Sequence, residues 1–235
     1  MIILVKLILA HFIGDFLLQP KSWVKEKEIK KAASPKLYLH ILIHGILILL
    51  LFWNLKIWPL ALLLMLAHGT IDVIKLYAQK ESNKSKYFLI DQGLHLLSIL
   101  VIAYFWFHPQ LNFTEGIAYE NIWIYAITLL FLTTVSGITI QTCMANWSKT
   151  IHDDKDDSLN NAGKYIGILE RIFVFIFIVT GNWSAIGFLL AAKSVFRFGD
   201  LKEAKDRKLT EYILIGTLLS FGLAIVTGLV FLQAT

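Results

Sequence analysis

One cysteine, Cys143, occurs in the 235 residues, which excludes an intramolecular disulfide and leaves the redox compartment open. Charge is scarce as well: 17% of the residues are Asp, Glu, Lys or Arg, against about a quarter in a typical soluble domain. No His-Glu-x-x-His zinc signature appears. The apolar stretch 1–19 lacks a small-x-small cleavage site before the Lys-rich segment that follows, so it reads as a retained membrane helix rather than a signal peptide. What fills the chain is apolar bulk: 57% hydrophobic residues, 16 Phe, 8 Tyr and 7 Trp, with a mean hydropathy of +0.65. This is the composition of an integral membrane protein. The net charge of +5 does not imply a nucleic-acid partner, because the basic residues gather in short connections between apolar segments.

An apolar segment needs about twenty residues to cross a bilayer, and fewer where protein shields it. Eight segments meet that measure: 2–19, 37–55, 58–78, 87–107, 121–142, 163–181, 183–199 and 211–231. The first connection holds six Lys (Lys21, Lys25, Lys27, Lys30, Lys31, Lys36) and the third holds Lys80, Lys84 and Lys86. The fifth holds Lys149 and Lys155 among Asp153, Asp154, Asp156 and Asp157; the seventh holds Lys202, Lys205, Arg207 and Lys208. The alternate connections contribute Lys56 alone, which satisfies the positive-inside rule. The expected fold is therefore all-α: a polytopic membrane helix bundle of about eight transmembrane helices, with both termini outside. Residues 1–107 make a four-helix membrane region and 108–235 a four-helix C-terminal membrane region. The basic stretch 20–36, with Trp23, is explained by an anionic membrane surface.

Within the first region each apolar segment carries two ionisable residues four positions apart: His11/Asp15, His40/His44, His68/Asp72 and Asp91/His95. On an α-helix such residues share a face about one turn apart. The charge pattern of the connections also fixes their depth. All four pairs, with Gln19, Lys75 and Gln92, fall in the cytoplasmic halves of their helices, within about two to three turns of one level. The outer halves are almost wholly apolar, which disfavours a path through the membrane.

Five imidazoles and three carboxylates suit a divalent transition metal, zinc foremost, as one or two ions; calcium and magnesium prefer oxygen alone. His11, Asp15, His40, His44, His68, Asp72, Asp91 and His95 are the candidate ligands. Asp15, Asp72 and Lys75 are candidate catalytic groups, with Gln19 and Gln92 as candidate substrate contacts. The plainer reading is interhelical glue, since polar residues hold membrane helices together. Glue, however, requires neither this spacing nor a common depth. In the second region Glu170, Arg171, Lys193 and Arg197 form either a cationic cradle for a phosphate or a set of buried ion pairs, Glu170 with Lys193 or Arg197.

The string His11-Phe-Ile-Gly-Asp15-Phe-Leu-Leu-Gln19, with His40-x3-His44-Gly45, His68-x3-Asp72-x2-Lys75 and Asp91-Gln92-x2-His95, resembles the bacterial membrane-protein family known as domain of unknown function 3307. Gly167-x2-Glu170-Arg171 and Ala192-Lys193-Ser194-x2-Arg197-Phe198-x-Asp200 resemble the region that accompanies it in longer members. The resemblance implies a bacterial membrane protein and names no chemistry. More loosely, His-x3-Asp pairs on packed helices are similar to the ligands of zinc-dependent phospholipases C, P1-type nucleases and membrane-bound metal-dependent hydrolases. That likeness implies phosphoester hydrolysis.

The expected function is thus a membrane-embedded metal-dependent hydrolase, open to the cytoplasmic side. Its partners would be membrane lipids and a lipid or phosphate-containing small molecule. The alternatives are a divalent-metal or proton-coupled transporter and a non-catalytic scaffold or sensor.

Overall fold

A computed structural model describes residues 1–107, 121–148, 162–198 and 204–235, and among these every regular element is helical. The chain forms two compact units, Met1–Ile127 and Thr128–Thr235.

In the first unit α1 (Ile2–Phe12) passes directly into a π-helical turn, Ile13–Leu17. Pro20 adopts an extended backbone and caps α2 (Lys21–Lys30), so the chain bends by 85° between the apolar helix and the basic one. Pro35 opens α3 (Pro35–Phe52), where its fixed φ suits a first helical turn. That helix stops at Trp53, which takes a left-handed φ of 49°. A short turn leads into α4 (Trp58–Ala78), and another into α5 (Lys84–Phe107).

Helices α1, α3, α4 and α5 pack in a closed ring, each against two neighbours. Gly45 and Gly69 let α3 and α4 approach closely, for a Cβ at either would strike Met65 or Ile41. The interior of the ring has two layers. Leu7 and Ala10 of α1, Ile48 of α3, Leu60, Ala61 and Leu64 of α4, and Ile99 and Ala103 of α5 form a dry apolar layer. The other layer holds buried His11, His40, His44, His68, Asp72, Asp91 and His95. The outside is the reverse of a soluble protein's. Leu66 and Phe105, among many large apolar side chains, are 61% and 67% exposed. A surface of that kind belongs in hydrocarbon.

The second unit begins within α6 (Asn121–Leu130), which continues through a π-helical turn, Phe131–Val135, into α7 (Ser136–Ser148). Two further helices, α8 (Ala162–Val179) and α9 (Trp183–Phe198), precede the long α10 (Ala204–Ala234). Helix α10 packs on α7 and α8 around Leu132, Val174, Ile178, Ile186, Phe221 and Ala224.

Among the described residues five helices are long and apolar enough to cross a membrane: Pro35–Phe52, Leu55–Ala78, Glu81–Phe107, Asn121–Ala145 and Lys208–Ala234. The bent pair Ile2–Leu17 and Lys21–Ala33 makes a sixth if it counts as one span. The remaining two expected segments fall short for physical reasons. Helix α8 carries Lys164, Glu170 and Arg171 within its 18 residues, and α9, Trp183–Phe198, is 16 residues long. Helices of this length and apolarity are those of a membrane protein.

Candidate metal centre

The four His and Asp pairs converge in the first unit, but not as pairs. Only Asp91 and His95 keep close company along their own helix, with Oδ1 and Nε2 at 3.3 Å. The His11 Nε2 to Asp15 Oδ2 distance is 3.9 Å, with Asp15 in the π-turn. Asp15 instead faces α3 and α4. Its Oδ1 lies 3.1 Å from His44 Nε2, 3.2 Å from His40 Nε2 and 3.6 Å from His68 Nε2. His40 and His68 bring their Nε2 atoms to 3.0 Å of one another. The spacing in the sequence marks the residues; the partnerships run between helices.

Glycine makes the closest approach possible. Gly14 stands beside Asp15 in the π-turn, and a Cβ there would overlap the His44 imidazole. Gln92 of α5 completes the surroundings of Asp15: its Nε2 donates to Asp15 Oδ2 at 2.9 Å, while its Oε1 lies 3.2 Å from His11 Nε2. Gln19 reaches His40, with Nε2 atoms 2.9 Å apart.

Two lysines close the layer. Lys75 Nζ donates to Asp91 Oδ2 at 2.7 Å, and Lys27 Nζ donates to Asp72 Oδ2 at 2.8 Å. Lys27 corrects the reading of stretch 20–36 as a purely surface segment, for it is buried. The helix α2 that carries it is fastened to its neighbours by Lys31 donating to the Leu76 carbonyl and by Glu28 accepting from Gln79 and Lys84. The signal for Lys27 was absent from the sequence: it is one of six lysines in a stretch whose composition already had an explanation.

Hydrogen bonding alone does not account for this centre. A neutral imidazole nitrogen offers one hydrogen or one lone pair. His40 Nε2, however, has Gln19 Nε2, His68 Nε2 and Asp15 Oδ1 all within 3.2 Å. Meanwhile Asp91 Oδ1, His95 Nε2 and the Nδ1 atoms of His11, His40 and His95 are buried without a hydrogen-bond partner. Buried polar atoms are rarely left so. Around a tetrahedral zinc with bonds of about 2.0–2.1 Å, neighbouring donors stand about 3.3 Å apart. The 3.0, 3.2 and 3.6 Å edges joining Asp15, His40 and His68 bracket that value. Three groups have ligand atoms mutually within 4.8 Å: His11, Asp15, His44 and His68; His40, His68 and Asp72; Asp15, Asp91 and His95. The donors fit a divalent transition metal.

A cavity of about 20 Å³ adjoins this layer, lined by His11, His44, His68, His95 and Ser98 and closed by Leu7, Ala10, Ile48, Leu64 and Ile99. That is room for about one water.

The candidate residues of the second unit have separate duties. Lys193 Nζ lies 2.7 Å from the Glu170 carboxylate, the ion pair expected from the sequence. Arg171 is buried and donates to the carbonyls of Leu132 and Thr133 and to Ser220 Oγ, tying down the π-turn of that unit. The side chain of Arg197 lies outside the described residues, as do Asp200 and the acidic cluster 153–157.

Together these features define a helical membrane protein with a buried histidine–carboxylate centre. The family model described as "Protein of unknown function (DUF3307)" matches residues 3–125, over half of the chain, and the protein belongs to that family. The match covers every residue of the centre. No curated protein and no solved structure matches the chain.

Proposed function

We propose that this protein is a metal-dependent hydrolase of a phosphoester or lipid-like substrate. It would lie in a bacterial inner membrane, crossing about eight times, with its centre facing the cytoplasm. The observation that carries the reading is the convergence of His40, His44 and His68 Nε2 on Asp15 Oδ1, at 3.1–3.6 Å. His11 and Asp72 flank this set and complete its choice of ligands.

A divalent ion bound there supplies Lewis acidity toward a phosphoryl or carbonyl oxygen and acidifies a water. The protein's own groups do the rest. Gln92 fixes the orientation of Asp15 through Oδ2. Asp15 and Asp72 are the carboxylates available as ligand or base. Lys75, part-buried at the edge of the layer, is placed to meet substrate charge. The small cavity beside four imidazoles gives a water a place next to the centre.

A transport reading calls for polar groups beyond this layer. There the ring is filled by Leu7, Ala10, Ile48, Leu60, Ala61, Leu64, Ile99 and Ala103. A scaffold reading calls for a self-satisfied network, and the buried Nδ1 atoms of His11, His40 and His95, which have no hydrogen-bond partner, speak against it. Purified protein is expected to release phosphate or a headgroup from phospholipid vesicles in a chelator-sensitive manner, and His68→Ala to lose that activity. Metal flux into protein-containing liposomes without any hydrolysis would favour the transporter instead.

A further inference from the structure

The geometry points to a second cation site beside the first, formed by Asp91, His95 and Asp72 with Asp15 shared between the two. This rests on the reading of the His40, His44 and His68 set as a metal site, and extends it to a binuclear centre. The first set is rich in imidazole and by itself offers enough donors for a four-coordinate ion. It leaves Asp91 Oδ1 and His95 Nε2 unused. Those two atoms face one another at 3.3 Å, on side chains that are 2% and 1% exposed. They form an ion pair, yet neither makes a hydrogen bond of acceptable geometry to the other or to any other group. Asp72 Oδ1 lies 3.6 Å from the same His95 nitrogen.

The lysines sharpen the assignment. Lys75 and Lys27 bond the Oδ2 atoms of Asp91 and Asp72, leaving the Oδ1 atoms of both directed at His95. Each carboxylate is thus held by an ammonium on one oxygen and presents the other inward. Such a clamp orients a ligand that would otherwise rotate freely. Asp15 belongs to the donor groups on both sides, with His11, His44 and His68 and with Asp91 and His95, which is the position of a bridging carboxylate.

The donor chemistry differs between the sites. Imidazole-rich coordination suits zinc, whereas carboxylate oxygens with a single imidazole suit a harder dication such as Mn²⁺ or Mg²⁺. Two dications with Lys27 and Lys75 exceed the charge of Asp15, Asp72 and Asp91. An anionic substrate such as a phosphoester offsets that excess and a neutral ester does not, which favours phosphoesters among the esters.

Full-length protein in detergent, loaded with Mn²⁺ alone or with Zn²⁺ and Mn²⁺ and then desalted, provides the test. Elemental analysis is expected to find two equivalents per chain, falling to one in His95→Ala and in Asp91→Asn. Electron paramagnetic resonance of the wild type loaded with Mn²⁺ alone is expected to show a coupled pair rather than an isolated ion, a result independent of whether the variants fold. One equivalent in the wild type, with an uncoupled spectrum, overturns the second site and leaves a protonated His95 between the two carboxylates. Zero equivalents overturns the hydrolase reading itself.

Discussion

At the residue scale, Asp15 organises the centre and Gly14 makes room for it. Because a Cβ at Gly14 would strike the His44 ring, Gly14→Ala is expected to weaken metal binding about 10–100-fold, the usual effect of disturbing groups that support a ligand. Titration against a competing chelator would measure this, and unchanged affinity would remove His44 from the ligand set. Lys27 gives a second expectation. Lys27→Met removes the ammonium partner of the buried Asp72 and leaves it only the more distant imidazoles of His95 and His40, at a cost of up to about 3–5 kcal/mol. The variant should therefore unfold earlier in detergent, and K27M/D72N should recover much of the loss. The His, Asp and Lys75 positions were legible in the sequence because an ionisable residue in an apolar run stands out by its cost. Their partners were not. The i,i+4 rule names a shared face and not a partner: His40, His68 and Asp72, all in uninterrupted α-helix, make their tightest contacts with other helices. Lys27 was illegible because nothing distinguishes it from the lysines around it.

At the element scale, the π-turn Ile13–Leu17 inserts one residue into the helical register just where a ligand must turn inward. Deleting Ile13 removes that extra residue, so the helix beyond the turn keeps its facing while Asp15, inside the turn, moves off its present position. The shortened protein is expected to insert into membranes normally and to lose the metal held by His40, His44 and His68. Retention of that metal would show that the turn is incidental. A second π-turn, Phe131–Val135, is held by Arg171 through the carbonyls of Leu132 and Thr133. Arg171→Leu is expected to cost about 1.5–3 kcal/mol per charged hydrogen bond lost, read as lower thermal stability. Neither turn is visible in hydropathy, which sees apolar length and is blind to a single extra residue.

At the scale of the whole molecule, the two-layered ring explains why the centre is closed on one side: the polar layer and the apolar core occupy opposite ends of the same four helices. The proposed topology, built on the alternation of basic connections, would put the polar end at the cytoplasm. In a Cys143→Ser background, Leu55→Cys is expected to react with an impermeant maleimide from outside intact cells. Lys25→Cys should react only after permeabilisation; the opposite pattern would invert the topology. The all-helical membrane class was legible from composition and apolar length alone. The number of crossings was not, because α8 and α9 trade apolar length for charge and brevity.

The most direct measurement is the transition-metal content of the purified full-length protein after loading and desalting. At least one equivalent per chain is expected, lost in His40→Ala and His68→Ala while a control, Thr70→Ala on the exposed face of α4, keeps it. A wild type that retains no metal, or histidine variants that retain as much as the wild type, would contradict the assignment of this layer as a metal centre.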